Sequence, residues 1–152
     1  MSSEQKTTTF QPPTGIEAFF NRTMGFLAGL GIGPEFIYLL QVRGRKTGKI
    51  FSTPVNLMEV GGRQILVAPR GRTQWVRNAE AAGEITLKRG SKRQRFGLRP
   101  IADEQKPELL KEYLDRYQSA VKKFFPVAPG SQAEKFREIA GNYAVFELIA
   151  KP

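Results

Sequence analysis

The stretch FIYLLQVRGRKTGKIFSTPVNLMEVGGRQILVA, residues 36–68, decides the fold. It opens with an apolar, aromatic and β-branched run that ends at Gly44, which is typical of a buried strand. A second strand is indicated over residues 51–57, where apolar and polar side chains alternate. Gly61-Gly62 then supplies the free φ angles that hairpin turns need, and a third apolar run follows at residues 64–68. The stretch therefore predicts three consecutive antiparallel strands.

The following residues extend this pattern with helices and further strands. Thr73 is a candidate cap and Gly83 a candidate stop for a short helix, and a hairpin with its turn at residues 89–92 comes next. A long helix is predicted from Asp103 to about Phe125. A short helix near residues 132–139 and a last strand at Tyr143 to Ile149 complete the chain. This order predicts an α+β fold in which about six mostly antiparallel strands can close into a small barrel with flanking helices.

The N-terminal part contributes a tail and one more helix. Residues 1–13 are predicted to be a flexible tail, and residues 14–152 one domain. Apolar residues at three- and four-residue spacing predict an amphipathic helix over residues 16–30. The longest apolar run is interrupted by Pro34, Glu35 and four glycines, so a membrane span is not expected. We expect a cytoplasmic protein, with peripheral membrane contact of this helix as an alternative.

Composition excludes several kinds of chemistry and points to an anion. The chain contains no His and no Cys, which removes Ser-His-Asp and Cys-His catalysis, thiolate or imidazole metal sites and disulfides. No metal site is predicted. The 24 Lys+Arg and 14 Asp+Glu give a net charge of +10. The central segment, Arg43 to Arg99, holds 14 basic and 3 acidic residues, or +11. An anionic ligand or partner is the expectation, and solubility alone is the alternative.

The glycine motifs do not match nucleotide-binding sequences, and the basic residues do not match a nucleic-acid-binding signature. Gly44-x-x-x-Gly48-Lys49 is one residue too short for a P-loop and lacks the following Ser or Thr. The glycines at 29, 31 and 33 have the wrong spacing for a dinucleotide fingerprint. A basic stripe on the second hairpin has no interleaved aromatic residues, so a nucleic-acid-binding module is the less favoured function. The stripe consists of Lys88, Arg93, Arg95 and Arg99.

Two cationic loops are the strongest candidates for an anion site. Each follows a predicted strand, and together they contain Arg45, Lys46, Lys49, Arg70 and Arg72. Guanidinium groups there would bind phosphate or carboxylate oxygens in pairs. Trp75 and Asn78 share one face of the following helix and would add an aromatic wall and an amide. The alternative is that Trp75 belongs to the core and Asn78 is exposed.

Three strings carry a resemblance to a known family. GRKTGKIFSTPV, VAPRGRTQWVRNAEAAGEITL and the closing YAVFELI together resemble the deazaflavin-dependent nitroreductase family, over about residues 36–149. The resemblance implies a split β-barrel related to flavin-binding reductases. It also implies coenzyme F-420, an 8-hydroxy-5-deazaflavin whose oligoglutamate tail bears a phosphate and several carboxylates. Members of this superfamily are monomers or homodimers.

The resemblance also implies which residues bind the cofactor. Phe51 stands where members often have a second basic residue, and Pro69 where they often have Ser, so Lys49 and Arg72 are the expected substitutes. The implied cofactor-binding set is Arg45, Lys46, Thr47, Lys49, Thr53, Pro54, Ala68, Pro69, Arg70, Arg72, Trp75 and Asn78.

The resemblance implies that the protein is a reductase. Such an enzyme transfers a hydride from the reduced deazaflavin to a small hydrophobic electrophile: a quinone, a nitroaromatic compound or an enone. Such a cofactor supplies the reactive atoms, so no dedicated catalytic residue is expected. Tyr113 and Tyr117 are candidate proton donors or else ordinary core-edge residues. The alternative is a split-barrel protein that binds FMN, haem or a lipid.

Overall fold

The computed structural model describes Leu27, Leu30, Gly31 and residues 33–152. The predicted tail at residues 1–13 and nearly all of the predicted helix at residues 16–30 lie outside them. The strands are β1 (Ile37–Arg43), β2 (Ile50–Asn56), β3 (Met58–Val60), β4 (Arg63–Ala68), β5 (Glu84–Arg89), β6 (Lys92–Pro100) and β7 (Ala144–Ala150). The α-helices in the described part are α1 (Gln74–Ala82), α2 (Lys106–Arg116) and α3 (Gln118–Val121).

The strands form one antiparallel sheet that curls into a barrel. Its order is β2-β1-β5-β6-β7-β4-β3, so β2 and β3 are the two edges. A single residue, Leu57, connects them. Because successive Cα atoms are about 3.8 Å apart, the two edges have to approach each other. This closure confirms the predicted α+β split barrel.

The predicted second strand, residues 51–57, is present as β2, and the short strand β3 that follows Leu57 was not predicted, which is why seven strands replace the expected six. β2 pairs with β1, whereas β3 pairs with β4. The Leu57 N–H donates to the carbonyl of Phe36 at 2.8 Å, which fixes the crossing point. Both predicted hairpins are present, with Gly61 and Gly62 at φ 57° and 80° in the β3–β4 turn.

The barrel has two chemically different ends. Since neighbouring strands are antiparallel, β1 and β4 finish at the end where β5 begins, and α1 lies there. The β5–β6 turn marks the opposite end. Apolar side chains fill the interior between the ends: Leu40, Leu66, Leu87, Phe96 and Leu148. A second core lies between α2 and the outer face of β4 and β7.

The predicted long helix breaks at Tyr117. This residue has φ −117° and ψ 30°, outside the helical range, and it separates α2 from α3. Its ring packs against Phe36 and Tyr113, with centroid distances of 4.8 and 5.1 Å. The contact with Phe36 is a tertiary one and competes with helix propensity. The predicted helix near residues 132–139 is only a 3-10 turn, Ala133–Phe136.

Two polar contacts anchor α2. The buried Lys106 Nζ donates to the carbonyls of Tyr143 and Ala140 at 2.6 and 3.3 Å and pairs with Asp103 at 2.7 Å. Asp115 accepts from Lys111 Nζ and from the Gly130 N–H, both at 2.8 Å. These hydrogen bonds hold the pKa of Asp115 below its usual value.

Candidate functional site

The β1–β2 turn is a tightly bonded cationic loop. The Gly44 N–H donates to the Lys49 carbonyl at 2.6 Å, and the Gly48 N–H donates to the Gly44 carbonyl at 3.0 Å. Gly48 has φ 77°, a conformation that favours glycine. The Thr47 hydroxyl accepts the Lys49 N–H at 3.2 Å. The turn thereby exposes Lys46 and Lys49, whose ammonium groups have no partner within the described residues.

Arg45 is attached to the first turns of α1. The buried Asn78 Oδ1 accepts both the Arg45 backbone N–H, at 3.1 Å, and Nη1, at 2.7 Å. Nη1 also donates to Gln74 Oε1 at 3.1 Å. Gln74 and Asn78 are four residues apart and so share one helix face. Asn78 is 4% exposed, so the alternative of a solvent-exposed Asn78 is wrong.

Trp75 joins the site to the barrel interior. It is half-buried, contacts the interior cluster, and its ring centroid lies 6.1 Å from that of Phe146. Trp75 is the only tryptophan of the chain, so its fluorescence reports on this end of the barrel.

The N-terminus of α1 carries an unsatisfied hydroxyl. Thr73 occupies the N-cap position, as predicted, but its side chain makes no cap hydrogen bond. Its Oγ1 is the one buried side-chain polar atom in the described chain that has no hydrogen-bond partner. The first N–H groups of a helix also lack internal acceptors, and the first turn of α1 contains no acidic residue. A phosphate or carboxylate oxygen is the kind of group that would satisfy these donors.

The second cationic loop, which contains Arg70 and Arg72, lies at the same end of the barrel. Both of its arginines already contact side chains of the protein. Arg72 makes a two-bond ion pair with Glu80, at 2.6 and 3.0 Å. The guanidinium of Arg70 lies 4.5 Å from the ring centroid of Phe124. Glu80 lies two residues beyond Asn78, about 200° around the helix. Arg45 and Arg72 are therefore attached to opposite flanks of α1.

The remaining cofactor candidates line the strands below these loops. Thr53 and Pro54 are half-buried on β2 and pair with Leu40 and Leu39 of β1. Ala68 is buried at the end of β4, and Pro69 follows it half-buried.

Phe51 covers the backbone of the β1–β2 turn. A Cβ on Gly44 would lie 2.5 Å from the Phe51 ring, so any larger residue there would displace the ring. Phe51 is 49% exposed, and Ile50 beside it is 54% exposed. The position where the resemblance leads one to expect a basic residue is thus an apolar surface next to the cationic turn.

The two candidate proton donors belong to the core under α2. Tyr113 is 2% exposed and its hydroxyl lies 3.4 Å from Asn56 Nδ2, while the Tyr117 hydroxyl donates to the Leu57 carbonyl at 3.4 Å. Burial raises the pKa of both phenols. Proton donation by either residue stays a prediction.

The basic stripe lies on the outer face of the β5–β6 hairpin. Lys88 and Arg93 are cross-strand neighbours, as are Thr86 and Arg95. Arg99 pairs with Glu147, which also lies 3.7 Å from Arg63. Arg93 and Arg95 are exposed.

Sequence reasoning missed several partners of the site. Gln74 was detectable, because it precedes Asn78 by four residues on a predicted helix. The contacts of Arg72 with Glu80 and of Arg70 with Phe124 depend on tertiary placement and leave no local signal. The unsatisfied Thr73 hydroxyl is likewise visible only in three dimensions.

Two further observations concern the described residues. Their acidic side chains form no group that could bind a metal ion. Their helices are all too short or too polar to cross a membrane.

Comparison with known proteins gives a family and a fold. The model of the family described as F420H(2)-dependent quinone reductase matches residues 17–128, well over half of the chain. No curated protein sequence matches.

Similar solved structures include an F420-H2 dependent reductase at 18% identity and TM-score 0.50, with 74% of this chain and 93% of that one covered. A domain-swapped dimer also matches at 18% identity and TM-score 0.53, covering 88% and 92%. A NimC/NimA family protein from Clostridium acetobutylicum matches at 14% identity and TM-score 0.51, covering 95% and 87%. At these identities the likenesses show the fold.

Proposed function

Because this chain belongs to the F420H(2)-dependent quinone reductase family, it is a reductase that uses coenzyme F-420, and we propose that the α1 end of its barrel binds the anionic tail of that coenzyme. The observation that carries the proposal is the unsatisfied Thr73 hydroxyl at a helix N-terminus. Cations of the neighbouring turn approach the same helix, because Arg45 is bonded to Gln74 and Asn78.

The donors at this end are guanidinium, ammonium and hydroxyl groups, which are the kinds that bind phosphate and carboxylate oxygens. Arg45 is already oriented by Asn78, so little side-chain entropy remains to be lost when a ligand binds. Lys46 and Lys49 are exposed on the same turn and would contact outer carboxylates as mobile point charges. Arg72 is the weaker candidate, since Glu80 already neutralises it.

The protein's contribution to the reaction is binding and orientation. Reduced coenzyme F-420 supplies the hydride when it is bound, so the chain needs no nucleophile. Trp75 would form an apolar wall beside the tail site. Thr53 and Pro54 of β2 would lie along the deazaflavin ring. The acceptor is a small hydrophobic electrophile, a quinone by the family description. The exposed Ile50 and Phe51 provide apolar surface at the same end for such a molecule.

Location and assembly follow from the same proposal. A hydrophobic quinone as acceptor favours a cytoplasmic protein with peripheral contact to the membrane surface. One structural relative is a domain-swapped dimer, and both monomer and homodimer are compatible with the site, because its residues come from one chain.

Binding is tested by titrating the protein with coenzyme F-420 while recording Trp75 fluorescence and calorimetric heat. We expect a saturable fluorescence change, with tighter binding than for FMN, whose single phosphate offers fewer charges to the turn. Binding of FMN in preference to the coenzyme would contradict the proposed tail site.

A double variant locates the site. Arg45→Ala with Lys46→Ala should weaken coenzyme binding by ~10–100-fold, or ~1.5–3 kcal/mol for lost charged hydrogen bonds. The matched control is Arg93→Ala with Arg95→Ala, which removes the same charge from the outer face and should change affinity by less than ~3-fold. Equal losses in the two variants would show a general charge effect and would contradict the assigned site.

A further inference from the structure

The end of the barrel opposite α1 contains a cavity of about 260 Å³. It lies between the start of β1 and the β5–β6 turn, and its wall includes Tyr38, Leu57 and Lys92. Along β1 the distance from Tyr38 to Arg43, next to the cationic turn, is roughly 17 Å at ~3.3 Å per residue. The cavity is therefore separate from the proposed coenzyme tail site.

The cavity wall is apolar with a few polar groups. Leu57, Leu87 and Phe96 form the apolar part. Tyr38 is half-buried, and its hydroxyl makes no hydrogen bond to the part of the chain that the structure describes. The Gln94 side chain is fixed, because its Nε2 donates to the carbonyls of Arg95 and Lys151, both at 2.9 Å.

Positive charge lies beside this cavity, and the described part of the chain places no acidic side chain in its wall. Lys92 lies on the same face of β6 as Gln94 and Phe96. Its ammonium has no ion-pair partner within the described residues. Among the described residues, its cross-strand neighbour Arg89 donates to the carbonyls of Ile37, Gly33 and Gly31, at 2.8, 2.7 and 3.3 Å.

From this combination we infer that the cavity is a binding site for a small monocarboxylate with a compact apolar body. The carboxylate would accept hydrogen bonds from Lys92 Nζ and the Tyr38 hydroxyl, and the apolar body would displace water from Leu57, Leu87 and Phe96. The volume accommodates roughly nine waters at ~30 Å³ each, or a ligand of about ten non-hydrogen atoms. The site lies at the end of the barrel away from the proposed tail site, so either proposal can fail without the other.

The experiment uses 3-phenylpropanoate as the probe and 3-phenylpropan-1-ol as its neutral counterpart. Calorimetry should show carboxylate binding at millimolar or lower concentration, at least ~10-fold tighter than the alcohol. Trp75 fluorescence should not change, since Trp75 lies at the α1 end. A carboxylate that binds no better than the alcohol, or not at all, would overturn the inference, as would displacement of the probe by coenzyme F-420.

Two variants and a control locate the probe. Lys92→Gln should weaken binding by ~10-fold or more, whereas Arg93→Gln, which removes the same charge from the next residue on the outer face, should change it by less than ~2-fold. Ala150→Leu fills the cavity and should abolish binding while circular dichroism shows an intact fold. Equal effects of Lys92→Gln and Arg93→Gln, or full binding to the Ala150→Leu protein, would refute the site.

Discussion

Thr73→Val should change stability and coenzyme affinity in opposite directions. The Thr73 hydroxyl is buried without a partner, and a buried unsatisfied polar group costs about 1–3 kcal/mol. Valine has nearly the same shape and suits the extended backbone there, φ −80° and ψ −179°. We take the lower end of the range, because the residue as a whole is half-buried, and expect the free energy of unfolding to rise by ~1 kcal/mol. For a chain of this length the melting temperature should then rise by ~2–4 °C.

The same substitution removes a donor that the bound coenzyme would use. If the tail phosphate accepts a hydrogen bond from Thr73, its loss should weaken binding by ~5–20-fold, or ~1–1.8 kcal/mol. If Thr73 had only a structural role, the substitution would raise the stability and leave the coenzyme affinity unchanged. The opposite signs thus separate a ligand-binding role from a role in folding.

Urea unfolding followed by Trp75 fluorescence measures the first effect, and calorimetric titration with coenzyme F-420 measures the second. The control is Thr47→Val, because the Thr47 hydroxyl already accepts the Lys49 N–H and its removal should lower the melting temperature. A less stable Thr73→Val protein would show that the hydroxyl is bonded in solution. Unchanged coenzyme affinity would place the tail away from the α1 N-terminus. Either result refutes the reasoning.

Four further substitutions test other contacts. Asn78→Ala should reduce the free energy of unfolding by ~2–3 kcal/mol, because it removes the hydrogen bonds from the Arg45 backbone N–H and from the Arg45 guanidinium. Gln74→Ala removes one exposed hydrogen bond and should cost much less. Equal costs of the two substitutions in chemical denaturation would contradict this. Lys106→Met should cost ~2–4 kcal/mol, since the carbonyls of the buried Ala140 and Tyr143 lose their donor and the exposed Asp103 loses its ion pair, and a neutral effect on thermal melting would refute it. The lowered pKa of Asp115 contributes stability above the unfolded-state pKa, and this contribution is lost as pH falls through the folded-state pKa. Stability measured between about pH 5 and 2 should therefore fall less steeply in Asp115→Asn, and identical profiles would show that the pairing is absent.

Local signals predicted most of the strands and the helix α1. Gly83 ends α1 as expected, with φ 77° and its N–H bonded to the Ala79 carbonyl at 2.8 Å. The β5–β6 hairpin has its turn at residues 89–92, as predicted, and places Ile85 opposite Phe96. The alternation of apolar and polar residues, glycine turns and helix stops each depend on a few neighbouring residues, so they can be recognised in the sequence.

Tertiary contacts decided the places where these predictions were wrong. The strand β3, which was not predicted, follows from barrel closure, since the chain passes at Leu57 from one edge of the sheet to the other. The break at Tyr117 accompanies the packing of its ring against Phe36, which lies 81 positions earlier in the sequence. Neither cause involves residues adjacent in sequence, so helix and strand periodicity could not reveal them.

By itself the sequence determined the split barrel, the absence of His and Cys chemistry, the excess of cations in the central segment and the resemblance to a deazaflavin-dependent family. Tertiary structure decided which cations face which partner. Arg45 is bound to the start of α1, while Arg72 is neutralised by Glu80 on its other flank. It also decided that the Thr73 hydroxyl remains unsatisfied. The physical reason is that charge and residue type are properties of the chain, whereas hydrogen-bond partners and burial depend on distances that only the folded barrel sets.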